Sequence, residues 1–529
     1  MASYYFLAFC KADLKSSMMC LHKNCLQISS RALPCIRWTS NSSTSASIDA
    51  SPRPFKEIPG PGGLARLPGI GPAFLFKPFT DVPSGRFDLV ARSLHDQYGP
   101  LVRLQLLGPS VLVGNLQDME TVYRNEGRYP ERYQFGLMQH YFHTRKKETL
   151  SMIDGEKWLS LRMRIQPKFM RTNATLQYVG QQDCVAADLV KHLGKKELTP
   201  EAQQDIIFRY VLESIGVFAF NKRLGSLDED TMFDENKRKF PETIRLLFKT
   251  LANHPVLPLY RLFPTPAFKT VAKCMDFLIG ESVKHMQQAF KEVEKQQAAG
   301  NLTDDKPNLI TSLLMSDDVT EQEVIMSMSE IFNGGTDTTT KTLYVFLYNL
   351  ARFPEKQKLL AEEISRVLGN SQTITAQQLA QLTYLRACLK ESMRLAFPVV
   401  PGPMRRAPYD LVLSGYRIPK GTMMLLTCDA WLKNPQNVTS PSDFLPERWL
   451  RNVSGKREQP IPTVAFLPFG INTRNCMGRR FAEQIIFLAV AKIIQNFEVS
   501  LGEGSDDIQI MYEVFPTTTK AVPFLFKPK

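Results

Sequence analysis

Residues 469–478 have the sequence Phe-Gly-Ile-Asn-Thr-Arg-Asn-Cys-Met-Gly, which places a single cysteine in a loop just before an apolar helix. Glycines stand on both sides of Cys476, and because glycine permits tight turns, the backbone there can approach a flat ligand closely. Backbone N–H groups at the start of the next helix would stabilise a thiolate at Cys476. Arg474 could pair with an anionic group on the same side of the loop. The cysteine alone fits an ordinary buried residue, but the whole pattern favours a thiolate that faces a flat, doubly anionic cofactor.

The overall composition is that of a globular protein. The chain has 529 residues, of which 43% are hydrophobic and 22% charged, so a disordered or fibrous protein is excluded. A chain of this length can bury enough surface to enclose a ligand. Its net charge of +13 favours anionic membranes or acidic protein partners. The positive charges are spread along the chain without a block of like charges, so no nucleic-acid-binding tail is expected.

The distribution of apolar residues predicts a mainly α-helical protein with small β-sheets. A helical pattern dominates residues 155–297, whereas strand-like runs flank turn residues such as Gly108 and Pro109, which suggests a hairpin. Helices are predicted at residues 87–98, 268–297, 321–352, 355–368, 376–397 and 477–497, and strands at 102–107, 111–113, 411–418 and 423–427. Because strands and helices do not alternate, a Rossmann fold is not expected.

The loop of Cys476 resembles a known family signature. FGINTRNCMG matches the haem-binding signature FGxxxRxCxG of the cytochrome P450 monooxygenases at every fixed position. The resemblance implies the α-rich cytochrome P450 fold, a single large domain over residues 63–529 that binds haem b and uses O2. It also implies that Cys476 is the axial thiolate ligand of the iron. The other implied members of the haem-binding loop are Phe469, Gly470, Arg474 and Gly478.

A glutamate–arginine pair and a second arginine form the next similarity. Glu391 and Arg394 share one face of a helix, and the sequence Glu-Ser-Met-Arg is similar to the family's ExxR motif. Residues 446–449, Pro-Glu-Arg-Trp, are similar to the family's PERF element, with Trp449 in place of the usual phenylalanine. Taken alone, such a pair is a surface ion pair that contributes little. The resemblance implies that Glu391, Arg394 and Arg448 form a triad that holds the cysteine loop.

A glycine pair interrupts the long helical segment at residues 334–338, which have the sequence Gly-Gly-Thr-Asp-Thr. Glycine costs about 1 kcal/mol in a helix interior, so two in succession indicate a function, although a glycine kink would also explain them. The residues resemble the family's oxygen-activation motif, [AG]GxDT. That resemblance implies that Thr338 and Asp337 are catalytic and deliver protons during oxygen activation.

Three further residues match family positions that bind the haem propionates. Trp158 and Arg162 are similar to the family's WxxxR motif. Arg405 lies where the family places another propionate-binding arginine, but Arg406 follows directly, so either could fill that role. An arginine suits the role because its guanidinium group can bind a carboxylate through two hydrogen bonds.

Residues 1–50 are basic and rich in serine and threonine, with only Asp13 and Asp49 as acids. This composition predicts a cleaved mitochondrial transit peptide, with a disordered tail of no function as the alternative. The best apolar run, residues 4–10, is far shorter than the roughly 20 residues of a membrane-spanning helix. Residues 51–62 are rich in proline, which predicts a hinge between this leader and the body.

The residues that follow the cysteine indicate the type of electron donor. Residues 478–483, Gly-Arg-Arg-Phe-Ala-Glu, are similar to the GRRxAE run of the mitochondrial subgroup, although Ile485 stands where that subgroup often has a glutamate. The resemblance implies that a small acidic [2Fe–2S] ferredoxin docks and supplies electrons. The predicted docking residues are Arg386, Lys390, Arg479 and Arg480. The alternatives are that these cations are merely solvated, and that a flavoprotein reductase supplies electrons to a microsomal-type enzyme.

Residues 253–264 form an apolar, proline-rich stretch between two helical runs. By position the stretch resembles the family's F–G loop, which implies monotopic contact with the mitochondrial inner membrane on its matrix side. Apolar residues flanked by cations suit a membrane interface. The flanking cations are Arg245, Lys249, Arg261 and Lys269. Core packing under a loop is the competing interpretation.

The predicted substrate pocket is apolar, which suits a lipophilic substrate such as a sterol, steroid, secosteroid or other lipid. Its predicted lining residues are Met326, Ile331, Phe332, Asn333, Val399 and Val400. Two rival functions stay open at this point: a haem-thiolate isomerase that needs no external electrons, and a non-catalytic lipid or haem carrier. The threonine–acid pair at residues 337–338 argues against the isomerase.

Overall fold

The computed structural model describes residues 51–529 with several short gaps. The residues outside the description are 69, 84–85, 107, 172–173, 229–234, 254–257, 300–307, 401, 453, 456 and 458–459. The predicted transit peptide, residues 1–50, also lies outside the described residues and stays a prediction.

Helices form most of the described chain, which confirms the α-rich fold. They are α1 (Phe87–Tyr98), α2 (Leu116–Arg124), α3 (Gly136–Thr144), α4 (Gly155–Met170), α5 (Val179–Leu193), α6 (Pro200–Phe220), α7 (Glu235–Asn253), α8 (Pro266–Ala298), α9 (Leu309–Leu314), α10 (Glu321–Arg352), α11 (Pro354–Leu368), α12 (Ala376–Gln381), α13 (Thr383–Leu395), α14 (Cys428–Leu432) and α15 (Arg479–Asn496). The predictions at residues 87–98 and 321–352 match the bounds of α1 and α10. Within the described part of the chain, no helix combines the length and the apolar character needed to cross a membrane.

Small sheets accompany these helices. The strands are β1 (Leu101–Gln105), β2 (Pro109–Val113), β3 (Met404–Arg406), β4 (Leu411–Leu413), β5 (Tyr416–Ile418), β6 (Met423–Leu426), β7 (Phe497–Leu501), β8 (Ile510–Tyr512), β9 (Pro516–Thr518) and β10 (Phe524–Pro528). The largest sheet has the order β1-β2-β6-β3, in which β2 and β6 are parallel. The other sheets pair β4 with β5, β7 with β10 and β8 with β9. The antiparallel β1–β2 pair confirms the hairpin predicted around Gly108.

Two strand predictions need correction. Residues 411–418 form two strands rather than one, because Ser414 and Gly415 adopt positive φ angles of 46° and 77° in the turn between β4 and β5. The sequence pattern predicts no strand after residue 427, yet β7–β10 lie within residues 497–528. These strands have three to five residues each, so their periodicity gives too weak a local signal.

The helix predicted at residues 376–397 is two helices, α12 and α13, which meet at Leu382. A carboxylate of α11 explains the start of α13. Glu363 accepts hydrogen bonds from the backbone N–H groups of Tyr384 and Leu385, at 2.7 and 3.0 Å. These groups lie in the first helical turn, where N–H groups lack an intrahelical acceptor. Because Glu363 is distant from α13 in the chain, no local sequence pattern predicts the boundary between α12 and α13.

Helix α10 is a central element, and it continues through Gly334 without a break. It begins at a capping box, in which Thr320 and Glu323 hydrogen-bond each other's backbone. Glu323 also pairs with Arg164 of α4 through both of its carboxylate oxygens. The N-terminal end of α10 is therefore fixed against α4, the helix that carries Trp158.

The proline-rich segment at residues 51–62 lies against the body of the protein. Arg53 forms a β-bridge with Tyr416, and its backbone hydrogen-bonds Gly415 and Arg417. Ile58 is buried. The segment is therefore attached on its body side, and its role as a hinge to the leader stays a prediction.

Candidate active site

The backbone of the cysteine loop is shaped by one glycine and one hydrogen bond. Gly470 has a φ of +72°, a conformation that favours glycine. The Cys476 N–H donates to the Phe469 carbonyl oxygen at 2.8 Å, which closes the loop. Helix α15 begins at Arg479, directly after Gly478. The loop therefore places the thiol beside a helix N-terminus.

Opposing effects act on the Cys476 thiol. Desolvation raises its pKa, and this effect outweighs the others. The N–H groups of Gly478 and Arg479 hydrogen-bond the sulfur, and with the charges of Arg162 and Arg132 they favour the thiolate. The stabilising N–H groups are thus present where the sequence predicts them. A cation bound to the sulfur would add the further stabilisation that a thiolate needs at this depth.

Cys476 faces an internal cavity. Its side chain is exposed, although the desolvation of its thiol places it deep in the protein. Arg132 is likewise desolvated but partly accessible, and it interacts electrostatically with both Cys476 and Glu330 of α10. On α10, Gly334 is exposed, and a Cβ atom added there would meet nothing within 4 Å. We infer that the thiol and the centre of α10 border one cavity, because Arg132 interacts with a residue on each side.

An arginine cluster lies beside this cavity; its members are Arg132, Arg162, Arg405 and Arg474. Desolvation lowers the pKa of Arg162 to about 10 and that of Arg474 to about 9, and repulsion from Arg132 contributes to both. Desolvation also lowers the pKa of Arg132. The cluster is therefore an excess of buried positive charge.

That excess fits haem, whose two propionates are anionic. Two of the four arginines already have a carboxylate partner. Arg474 forms an ion pair with Asp154 at 2.5 Å, and Arg405 forms one with Glu126 at 2.6 Å. Among the described residues, the Nη1 atom of Arg474 is buried without a hydrogen-bond partner. A buried charged donor without an acceptor is destabilising, so an anionic ligand at this nitrogen would stabilise the site.

Helix α4 contributes Trp158 and Arg162, the residues of the predicted WxxxR motif. Trp158 is buried, and the Arg474 guanidinium group lies 3.5 Å from the centre of an indole ring. Arg162 donates to the backbone and side-chain oxygens of Asn475, at 2.8 and 2.6 Å. Both residues therefore hold the cysteine loop against α4, and their binding of a propionate stays a prediction.

The structure distinguishes Arg405 from Arg406. Arg405 is buried and belongs to the arginine cluster. Arg406 is exposed and pairs with Glu131 at 3.2 Å. Neighbouring side chains of a strand point to opposite faces, so only one residue of this pair can face the cavity. Arg405 is that residue.

Two charged residues of the cavity belong to none of the motifs. Arg132 lies in the loop before α3, and Glu330 lies one turn before Gly334 on α10. Desolvation raises the pKa of Glu330, while hydrogen bonds from Ser151 and the charge of Arg132 oppose the rise. Charged residues are usually exposed, so nothing in the sequence marks these two as buried.

The predicted catalytic pair lies on α10 next to the glycines. The Thr338 hydroxyl donates to the Gly334 carbonyl oxygen at 2.9 Å and lies 3.2 Å from that of Gly335. Asp337 is buried, and desolvation raises its pKa, while the ammonium group of Lys341 at 3.2 Å opposes the rise. A partly exposed hydroxyl and a buried acid thus follow each other on one helical turn.

Glu391 is the centre of a buried polar network. Arg394 donates to both of its carboxylate oxygens at 3.0 and 2.8 Å, and Arg448 donates to Oε1 at 3.0 Å. The predicted triad is therefore assembled. Trp449 adds a bond that the motif does not predict, because its indole N–H donates to Glu391 Oε2 at 2.8 Å. Both arginines also bind carbonyl oxygens within residues 439–443, which ties α13 to that loop.

Three of the predicted docking cations, Arg386, Lys390 and Arg479, lie together. Desolvation lowers the pKa of Lys390, and the charges of Arg457, Arg479 and Arg386 lower it further. Arg479 and Arg480 are exposed at the start of α15, next to the cysteine loop. Arg457 was not marked by any motif. Arg480 instead donates to the Met170 carbonyl oxygen at 2.7 Å. We call Arg386, Lys390, Arg457 and Arg479 the cationic patch.

Two residues lie elsewhere than predicted. Phe332 is fully buried and packs against Phe220 and Phe240 in the helical core, so it does not line the substrate pocket. Arg245 forms an ion pair with Asp205 at 2.6 Å and does not flank the apolar loop. Both predictions rested on position along the chain, which does not fix the face of the helix on which a side chain lies.

Most of the described part of the apolar loop, residues 258–264, is accessible, but Tyr260 is buried in the core. The exposed fractions of Leu262 and Phe263 are 81% and 53%. Lys249 and Arg261 are exposed as well. Neighbouring exposed apolar side chains mark an interaction surface, so core packing describes Tyr260 but not Leu262 and Phe263.

The chain belongs to the cytochrome P450 family, whose profile matches residues 61–526. Members of this family bind haem through an axial cysteine thiolate, and the protein is accordingly an oxidoreductase of the monooxygenase class.

Among its relatives are proteins named as mitochondrial. A probable cytochrome P450 12e1, mitochondrial, of Drosophila melanogaster is 29% identical over 95% of this chain and 97% of the relative. A probable cytochrome P450 12c1, mitochondrial, of the same species is 31% identical over 86% of this chain and 88% of the relative. The mitochondrial 1,25-dihydroxyvitamin D(3) 24-hydroxylase of Rattus norvegicus is 28% identical over 82% and 83%.

Proposed function

We propose that this cytochrome P450 inserts one oxygen atom of O2 into a lipophilic substrate inside mitochondria. Its electrons come from NADPH through a ferredoxin reductase and a [2Fe–2S] ferredoxin. The observation that carries the proposal is an accessible Cys476 thiol deep in the protein beside a buried arginine cluster. The names of the mitochondrial relatives support the location and the type of donor.

Haem, when bound, supplies the activation of O2 and the transfer of one oxygen atom. Cys476 would bind the iron through its thiolate, which the N–H groups of Gly478 and Arg479 stabilise. Trp158 and the arginine cluster would bind the propionates and offset their negative charge. The loop formed by residues 469–478 would hold the thiolate at a fixed distance from the metal.

Thr338 and Asp337 would manage protons on the α10 side of the cavity. Because desolvation raises the pKa of Asp337, this acid retains a proton at a higher pH than an exposed aspartate does. Thr338 is partly exposed and can hydrogen-bond a group in the cavity once it releases the Gly334 carbonyl oxygen. Together they could pass a proton inward, as a general acid requires.

Replacing Thr338 by alanine should uncouple NADPH use from product formation. Substrate should still bind, but product per NADPH should fall at least about tenfold, with hydrogen peroxide released instead, because the hydroxyl that directs the proton is lost. The measurement is the ratio of product to NADPH consumed. Thr342→Ala, which removes a hydroxyl one turn further along α10, is the control and should leave that ratio unchanged. An unchanged ratio in Thr338→Ala would refute the assigned role.

The cationic patch supports an acidic protein as the electron donor. Its members are close enough for three of the cations to lower the pKa of Lys390, although like charges repel. Such a patch beside the cysteine loop offers an acidic ferredoxin a docking surface near the haem edge. Electrostatic steering would raise the association rate and would weaken as the salt concentration rises.

Removing two charges of the cationic patch should weaken ferredoxin docking. In Arg386→Gln/Arg479→Gln, the KM for ferredoxin should rise about tenfold at low salt with little change in kcat, and its salt dependence should become shallower. Arg417→Gln, which removes an exposed cation paired with Asp410, is the control and should leave the KM unchanged. Equal KM values for the double variant and the wild type would exclude this docking site.

The exposed tip of the apolar loop supports monotopic contact with the matrix side of the inner membrane. Leu262 and Phe263 would insert among the lipids while Lys249 and Arg261 remain at the headgroups. A lipophilic substrate could then enter from the membrane. The rat relative's name specifies a vitamin D hydroxylase, so secosteroids and other sterol-derived lipids are the first classes to screen by binding spectra.

Reconstitution with separate electron donors tests the proposal. Product should form with NADPH, ferredoxin reductase and ferredoxin, and should not form when a microsomal flavoprotein reductase replaces them. Activity with the flavoprotein reductase alone would establish the microsomal-type rival. Conversion of a hydroperoxide without NADPH, in the absence of NADPH-driven turnover, would establish the isomerase, and no oxygen consumption with any donor would establish a carrier.

A further inference from the structure

Lys341 lies one turn after Asp337 on α10 and stands between two carboxylates. Its Nζ atom is 3.2 Å from Asp337 Oδ2 and 3.1 Å from Glu513 Oε2. The exposed fractions of the three side chains are 5% for Asp337, 14% for Lys341 and 33% for Glu513. The three groups therefore lead stepwise from the interior to the surface, behind the proposed catalytic acid.

Glu513 lies in the connection between β8 and β9, and packing fixes that connection against the helices. Phe515 contacts Phe248 of α7, with ring centroids 5.7 Å apart. The ammonium group of Lys341 lies 6.0 Å from the Phe515 ring centroid. Strand β9 also packs against α10. The position of Glu513 beside Lys341 therefore depends on contacts of the whole hairpin.

The charges around Asp337 act in opposite directions. Lys341 favours the ionised carboxylate of Asp337, whereas Glu513 favours the protonated form. Arg245 of α7 adds a smaller positive influence, and it is itself paired with Asp205, which also binds Arg209 of α6. Lys341 and Glu513 are therefore the nearest charges that could adjust the acid.

We propose that Lys341 and Glu513 are positioning residues that set the proton affinity of Asp337 and link it to solvent at the β8–β9 hairpin. The inference rests on the proposed function, in which Asp337 takes up and releases a proton in every turnover. Two carboxylates that share one ammonium group cannot both be fully compensated, so the ionisation of one affects that of the other. The protonation of Asp337 therefore depends on the charge and position of Glu513 in the β8–β9 hairpin.

Charge-removing variants of the two residues test this inference in the haem-loaded protein. Infrared difference spectra recorded across pH report the protonation of individual carboxyl groups, and the band absent from Asp337→Asn belongs to Asp337. Lys341→Met should raise the apparent pKa of Asp337, and Glu513→Gln should lower it. Lys520→Met, which breaks an exposed pair with Asp507 in the same C-terminal region, should leave it unchanged. Glu513 is at the surface, so its variant keeps the test available if Lys341→Met does not fold.

The two variants are expected to shift the pKa of Asp337 in opposite directions, which distinguishes this role from a purely structural one. A tie between α10 and the hairpin would lower the melting temperature in both variants and leave the titration of Asp337 in place, and that result would overturn the inference. Shifts of the same sign in both variants would also overturn it. In turnover, the pH at half-maximal coupling should move with the infrared pKa. Because the infrared titration needs no turnover, failure of the proposed function and failure of the positioning role give different results.

Discussion

Replacing Cys476 by serine is expected to abolish the absorption signature of thiolate-ligated haem. The sulfur is the group that the loop presents to the cavity, with N–H groups of Gly478 and Arg479 directed at it. A serine hydroxyl keeps the size but is a far weaker ligand, since it does not ionise near neutral pH. The measurement is the carbon monoxide difference spectrum of the reduced variant, and monooxygenase activity should be lost with the signature.

An exposed cysteine provides the control. Cys184 lies on α5 and is accessible, so Cys184→Ser should keep the wild-type spectrum and activity. Cys388 is buried near Glu391, and Cys388→Ser should keep the spectrum as well. A normal thiolate-type carbonyl spectrum in Cys476→Ser would refute the assignment of the axial ligand.

Replacing Glu391 by glutamine should prevent stable folding or destabilise the protein by about 3–5 kcal/mol. The carboxylate accepts hydrogen bonds from two arginines and from Trp449, all of them buried. The neutral amide leaves the charges of Arg394 and Arg448 without this counter-charge in the interior. The measurements are the yield of haem-loaded protein and its free energy of unfolding.

Milder variants keep this prediction testable if Glu391→Gln does not accumulate. Trp449→Phe removes one hydrogen bond to a buried charge while keeping an aromatic ring, and should cost about 1.5–3 kcal/mol. Glu120→Gln removes one partner of an exposed ion pair with Arg124 and should cost at most about 1 kcal/mol. If Glu391→Gln unfolds like Glu120→Gln, the network does not stabilise the fold as argued.

The sequence predicts the parts of this protein that depend on short patterns. The cysteine loop combines Gly470, Arg474 and Cys476 within a few residues, and each has a physical reason to stand there. The long helices are predicted because their apolar faces repeat over many turns, as in α10. The triad of Glu391 follows from two short motifs that the fold brings together.

The remaining features depend on contacts between distant residues. Arg132 and Glu330 lie far apart in the chain, and only the fold brings their charges together. The hydrogen bond from Trp449 to Glu391 joins residues that are 58 positions apart in the chain. Glu363 caps the start of α13 at Tyr384, which is 21 residues away in the chain. Because such contacts leave no local periodicity, the structure is needed to find them.

The most direct measurement is anaerobic mixing of the haem-loaded protein with a reduced [2Fe–2S] ferredoxin under carbon monoxide. If a ferredoxin is the electron donor, the absorption of a thiolate-ligated carbonyl complex should appear, at a rate that falls as the salt concentration rises. Appearance of that absorption with a flavoprotein reductase but not with ferredoxin would contradict this choice of donor. Its absence with every reductant would contradict the account as a whole.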